Sequence, residues 1–217
     1  MTLDREAYLT RWAELHGGFD PRSSVWVGGW LRLSYVAARP LAAARVSPDT
    51  LTGAGLLASA LVPLLCLGRG AGWVLLAGLL VVGSGLLDTL DGAVAILTDR
   101  ATRFGHVLDS VVDRVSDAAY VVALWVLGAP AWLCILGGAL SWLLEYSRAR
   151  AAAGGMAEIG VVTVWERGTR ITVTAIFLGC AALFGVRLWS TLGAAAWVGL
   201  GVVGLAQLLV VIRRRLR

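Results

Sequence analysis

From residue 50 onward the chain alternates long apolar runs with short polar stretches rich in arginine, a pattern with the period of membrane crossings. Thr50 to Gly68 is 19 residues without charge and measures about 29 Å as a helix, close to a bilayer's hydrocarbon core. A second run extends from Gly70 to about Leu97 and stays uncharged until Asp88, and a third covers about Arg103 to Leu127. Gly128-Ala129-Pro130 reads as a turn, after which a fourth run spans Ala131 to about Tyr146. A looser, glycine-containing connection of about 151 to 165 leads to a fifth, Ile171 to Val186, and Leu188 to Ile212 is the sixth. Upstream the pattern changes. Residues 1 to 24 are polar and mixed in charge; Tyr8, Trp12 and Leu15 at helical spacing fit either a short interfacial helix or a frayed terminus. From Val25 to Arg45, Trp26, Trp30, Leu33, Tyr35 and Val36 alternate with Arg32, Arg39 and Arg45, with Arg22 just ahead, the composition of an amphipathic helix lying in the interface. The pattern therefore predicts an all-α integral membrane protein of six transmembrane helices preceded by an interfacial amphipathic helix. Its parts are a cytoplasmic segment, 1–24, a juxtamembrane helix, 25–46, and a membrane domain, 47–217.

Composition agrees with one membrane domain: 58% of the 217 residues are hydrophobic, 27 are glycine, and mean hydropathy is +0.77. The start of the chain has no basic segment leading into an apolar stretch and a cleavage site, so no signal peptide is expected. All 19 basic residues are arginine, and they gather at the ends of the apolar runs. The net charge of +5 is thus assigned to topology and anionic lipid rather than to nucleic acid. With the amino terminus inside, only Arg69 and Arg187 face outward, and this asymmetry predicts both termini in the cytoplasm. Cys66, Cys134 and Cys180 fall in separate runs without paired spacing and read as small core residues.

The stretch from Asp88 to Asp113, DTLDGAVAILTDRATRFGHVLDSVVD, changes the picture. Four carboxylates lie in sequence otherwise apolar enough for lipid, where each ionised group costs roughly 2.5 to 3.5 kcal/mol on insertion scales. Residues three or four apart share a helix face, so Asp88 pairs with Asp91 and Asp109 with Asp113. The break at TDRATR, 98 to 103, lets one helix descend and the next return beside it. Carboxylates without a neighbouring pair of His or Cys suit Mg²⁺, Mn²⁺ or Ca²⁺ rather than zinc, and a metal pair held this way handles phosphates, with one carboxylate available as a general base. Gly92 and Gly105 give a ligand or a neighbouring helix close access to the backbone. A set of buried ion pairs with Arg103 and Arg114 is the competing reading. His106, beside Gly105, reads as an interfacial contact rather than a metal ligand.

Asp88-x-x-Asp91-Gly92-x-x-Ala95 followed by Gly105-x-x-x-Asp109-x-x-x-Asp113 resembles the signature of the CDP-alcohol phosphatidyltransferase family. Ile96 stands where that signature has arginine. Arg148-Ala149-Arg150-Ala151 and Glu166-Arg167-x-x-Arg170 are similar to two pieces of the branch that makes phosphatidylinositol phosphate in actinobacteria, with Arg148 where lysine is commoner; the tract 102 to 117 and Ser47-Pro48-Asp49-x-x-Thr52 are similar to it as well. The resemblance, over roughly residues 39 to 171, implies a metal-dependent transfer of a phosphatidyl group from CDP-diacylglycerol to a phosphorylated polyol, inositol phosphate above all, with release of CMP. It implies two divalent ions, Mg²⁺ or Mn²⁺, on Asp88, Asp91, Asp109 and Asp113, with Asp113 also the general base. Asp49, Thr52, Gly92, Ala95 and Gly105 would lie at the CDP-lipid, and Arg148, Arg167 and Arg170 would hold the acceptor's phosphate; plain positive-inside anchoring is the alternative for these arginines. A homodimer in the plasma membrane, with its active site on the cytoplasmic face, completes the expectation. Two alternatives stay open: the same chemistry on glycerol 3-phosphate or another alcohol, and a CDP-lipid-binding protein without catalysis, motivated by Ile96.

Overall fold

A computed structural model describes residues 3–15, 18–156 and 162–216, excepting the Trp26 side chain, and its regular structure is entirely helical. Eight helices follow in order: α1 (Arg5–Leu15), α2 (Val25–Ala43), α3 (Pro48–Cys66), α4 (Ala71–Leu97), α5 (Arg103–Val126), α6 (Ala131–Ala153), α7 (Arg167–Phe184) and α8 (Val186–Arg215). Four of them, α3, α4, α7 and α8, are long and apolar enough to cross a membrane. Charge is concentrated in two further helices: α5 holds Asp109, Asp113, Arg114 and Asp117, and α6 ends in Glu145, Arg148 and Arg150.

Local chemistry sets the boundaries. Ser47 precedes Pro48 and its hydroxyl accepts the Thr50 N–H at 3.1 Å, a cap with proline in the first turn that opens α3. Thr102 does the same for α5, accepting from Gly105 N at 2.9 Å, while Asp99 turns the chain with φ +52°, so the polar break between the aspartate pairs is a capped turn. Two boundaries differ most from the sequence pattern. α6 continues past Tyr146 to Ala153, because Ser-Arg-Ala-Arg-Ala-Ala-Ala is good helix-forming sequence and nothing breaks it before Gly154. α7 begins at Arg167 instead of Ile171, with Glu166 at its N-cap position. The connection is correspondingly shorter than 151 to 165, and its residues 157–161, like His16, lie outside the described residues.

The chain divides into two compact units, one of Met1–Gly55 with Leu86–Val112 and the other of Leu56–Gly85 with Asp113–Arg217. In the first, Tyr8, Leu9, Leu31, Tyr35 and Ala38 from α1 and α2 form an apolar core with Leu51, Val94, Ile96 and Leu97. The Tyr8 and Tyr35 rings meet at 5.5 Å, and Leu3 N donates to Leu97 O at 3.4 Å, tying the start of the chain to the end of α4. The amino-terminal segment is therefore a docked helix, with Tyr8 fully buried.

In the second unit α8 packs along α6 and α7, and Trp165, Trp197, Leu124, Leu144 and Leu178 fill its core. Glycine permits the closest approach. A Cβ on Gly204 of α8 would sit 2.5 Å from Trp165 Cβ. Tyr120, also fully buried, finds partners for its hydroxyl in Ser84 at 2.5 Å and Ser59 at 3.3 Å. Arg69, Leu127, Gly128, Val186 and Arg187 line one cavity of about 390 Å³, so the turns after α3, α5 and α7 share one end of this unit.

Candidate active site

α4 brings Asp88 and Asp91 to the first unit, and α5 brings Asp109. Carboxylate oxygens of Asp88 and Asp109 lie within 4.8 Å of each other. Two like charges that close inside apolar helices repel unless protons or cations are shared between them. Asp91 is more deeply placed, 6% exposed, and Oδ2 accepts the hydroxyl of Thr52 at 2.5 Å, a contact from the first turns of α3. That hydroxyl is also 3.1 Å from Pro48 O, so the Ser47-Pro48 cap positions the group that orients Asp91. Asp113 follows Asp109 by one turn of α5, about 6 Å along its axis. The donor set is oxygen alone, which fits Mg²⁺ or Mn²⁺.

The neighbouring motif positions divide by environment. A Cβ on Gly92 would meet nothing within 4 Å, leaving open space one residue after Asp91. Asp49 is exposed in the first turn of α3, Ala95 is half-buried, and Gly105 lies at the Thr102 cap. His106 is exposed. Ile96 is 6% exposed within the apolar core that α1 and α2 make, which gives this departure from the signature a packing role. Arg100 and Arg103 are exposed around the turn.

The second unit carries an ion-pair cluster built from α5, α6 and the start of α7. Arg167 Nε lies 2.7 Å from Asp113 Oδ1, and its Nη1 donates to Asp113 O at 3.1 Å. Asp117, one turn on and 1% exposed, stands between three guanidiniums: Arg114 at 3.3 Å, Arg170 at 3.3 Å and Arg167 at 3.7 Å. Arg170 is wholly buried; it donates to Ser141 Oγ at 3.0 Å and Glu145 Oε1 at 2.9 Å, and Ser141 in turn donates to Asp117 Oδ2 at 3.1 Å. Arg148 meets Glu166 in a two-bond fork of 2.8 and 3.0 Å. Burial pushes the Glu166 carboxyl up, but Arg148 and the N–H and hydroxyl of Thr163 outweigh it and hold the group below the usual carboxylate range. Of the three arginines expected at an acceptor, Arg170 is thus enclosed by Asp117, Ser141 and Glu145.

Glu145, Ser141 and Asp117 had no assigned role in the sequence reading. Their one advance signal is polarity inside runs that are otherwise apolar, with Asp117 four residues after Asp113 and Glu145 three before Arg148.

A sequence profile of the CDP-alcohol phosphatidyltransferase family matches residues 45–209, well over half of the chain. The chain belongs to that family. CDP-alcohol phosphatidyltransferases similar to it include a phosphatidylinositol phosphate synthase of Mycolicibacterium smegmatis, 33% identical over 191 residues, 83% of this chain and 82% of that protein. A namesake from Cutibacterium acnes is 31% identical over 160 residues, 71% and 76% of the two. An archaetidylinositol phosphate synthase of Pyrococcus horikoshii is 38% identical over 108 residues, 47% of this chain and about half, 54%, of that enzyme's length. Among solved structures, the phosphatidylinositol phosphate synthase of Mycobacterium tuberculosis in complex with manganese and citrate superposes with a TM-score of 0.70 at 26% identity, covering 83% of this chain and 88% of that one. The same enzyme with CDP-DAG bound gives 0.62 at 28% identity over 82% and 94%. Membership in this family makes the chain a membrane-bound transferase of phospholipid biosynthesis.

Proposed function

We propose that this transferase moves a phosphatidyl group from CDP-diacylglycerol to inositol phosphate, releasing CMP, at the cytoplasmic face of the plasma membrane. The observation that carries the reading is the meeting of Asp88 and Asp109 inside apolar helices, with Asp91 fixed beside them by Thr52. Asp88, Asp91, Asp109 and, in part, Asp113 would hold two divalent ions, Mg²⁺ or Mn²⁺. Bound there, the ions would supply Lewis-acid neutralisation of the diphosphate and of the leaving CMP.

The chain's own residues do the rest. Thr52 holds Asp91 in one orientation, and the open space at Gly92 leaves room for the nucleotide end of the lipid. Asp113 takes the proton of the acceptor hydroxyl; that oxygen bonds to the lipid-side phosphorus, and the bond from this phosphorus to the CMP oxygen breaks. Arg167, now paired with Asp113, keeps the base in place and with Arg148 faces the acceptor's phosphate, while Arg170 braces them from behind. α3 to α8 would all cross the bilayer, with α2 in the interface. The cavity shared by Arg69 and Arg187 supports the alternation that this topology needs. A homodimer through the membrane helices completes the proposal. The test is CMP release from CDP-diacylglycerol by purified protein with Mg²⁺ or Mn²⁺, acceptor by acceptor. Release that depends on inositol phosphate is expected; release with glycerol 3-phosphate instead, or with no acceptor at all, overturns it.

A further inference from the structure

Arg114, Arg148, Arg167 and Arg170 meet Asp113, Asp117, Glu145 and Glu166 in the second unit, four guanidiniums against four carboxylates, so the cluster is neutral by formal count. Every one of those guanidiniums already has a carboxylate partner. A phosphomonoester brings close to two negative charges, and it gains arginine contacts here only if a resident carboxylate gives way.

The four carboxylates differ in how firmly they are held. Asp117 is 1% exposed and bridges three arginines and Ser141. Glu166 has the Arg148 fork and two further donors from Thr163. Asp113 belongs to the reacting centre. Of the four, Glu145 combines partial exposure, 21% of its side chain, with polar contacts that among the described residues are to arginines: Arg170 at 2.9 Å, Arg114 at 3.3 Å and Arg148 at 3.6 Å. Three guanidiniums converging on two oxygens is the arrangement a phosphate would receive.

We infer that Glu145 is a place-holder for the acceptor's phosphate and is the residue that sets acceptor selectivity in this chain. The inference rests on the transferase reading above and deepens it. When a phosphorylated polyol enters, its phosphate takes the Arg148 and Arg114 contacts and the Glu145 carboxylate swings toward water. An unphosphorylated polyol cannot replace the lost charge, so displacing Glu145 would leave Arg114, Arg148 and Arg170 with Asp117 and Glu166 to offset them and the cluster one negative charge short; the carboxylate therefore discriminates by charge and not by shape.

Glu145→Gln removes the competitor and keeps its size. The Michaelis constant for inositol phosphate is expected to fall about tenfold, equivalent to about 1.4 kcal/mol. Inorganic phosphate, as a probe, should inhibit the variant at a correspondingly lower concentration and raise its melting temperature at lower phosphate than wild type needs. A Michaelis constant unchanged or raised, with phosphate no more effective, overturns the inference and makes Glu145 a brace or a hydroxyl contact. If Glu145→Gln gives no folded protein, Glu145→Asp withdraws the charge by one methylene, and the same fall is expected; a value at or above wild type is the contrary result. The two readings fail separately. Wild-type protein that releases no CMP with any acceptor defeats the transferase reading, whereas the phosphate-dependent melting shift reports on Glu145 without turnover.

Discussion

Thr52 puts a hydroxyl 2.5 Å from Asp91 Oδ2 and so fixes one oxygen of the most buried aspartate of the motif. Thr52→Val keeps the shape and removes the donor. It is expected to weaken activation by Mg²⁺ or Mn²⁺ about tenfold to a hundredfold, read as the metal concentration giving half-maximal CMP release. Metal dependence equal to wild type would remove Thr52 from the centre. Ile96 makes the opposite case. Restoring the family's arginine there, Ile96→Arg, puts a guanidinium into the core of Tyr8, Leu9 and Tyr35; it should cost about 2 to 4 kcal/mol, seen as a lower melting temperature, and raise no activity. Higher turnover in that variant would contradict the packing role. The approach of Asp88 to Asp109 was legible from sequence because their neighbours on the same helices are apolar and the polar break between them lets one helix return beside the other. Glu145 and Ser141 were not, since what gives them meaning is Asp117 and Arg170, which lie more than 20 residues away in the chain and come into reach only after α5, α6 and α7 pack.

At the level of helices, the six apolar runs predict α3 to α8, and the largest differences fall at ends where charge and helix propensity disagree. α6 outlasts its apolar stretch by a full arginine-bearing turn and more, and that extension carries Arg148 to Glu166. Hydrophobicity alone ends the helix where lipid contact would end; propensity and the Gly154 cap decide where it does end. The segment before α7 is then clamped against α8 through Trp165 and Gly204. Gly204→Ala forces a methyl to within 2.5 Å of Trp165 Cβ, and about 1 to 3 kcal/mol of destabilisation is expected, with a lower melting temperature in detergent. A variant as stable as wild type would show that α8 can move aside freely.

For the molecule as a whole, arginine asymmetry along the chain and the shared cavity of Arg69 and Arg187 support the proposed topology. In intact bacterial cells, Arg69→Cys and Arg187→Cys should react with a membrane-impermeant maleimide and Asp99→Cys should not; the reverse pattern would invert the protein and place its aspartates outside. The most direct test of the account is Asp113→Asn, assayed in parallel for acceptor-dependent CMP release and for CDP-diacylglycerol binding. Turnover is expected to disappear while most of the binding remains, because in the proposed mechanism the lost group would be the base and only one of several carboxylates that would hold the metal. Turnover equal to wild type would contradict it.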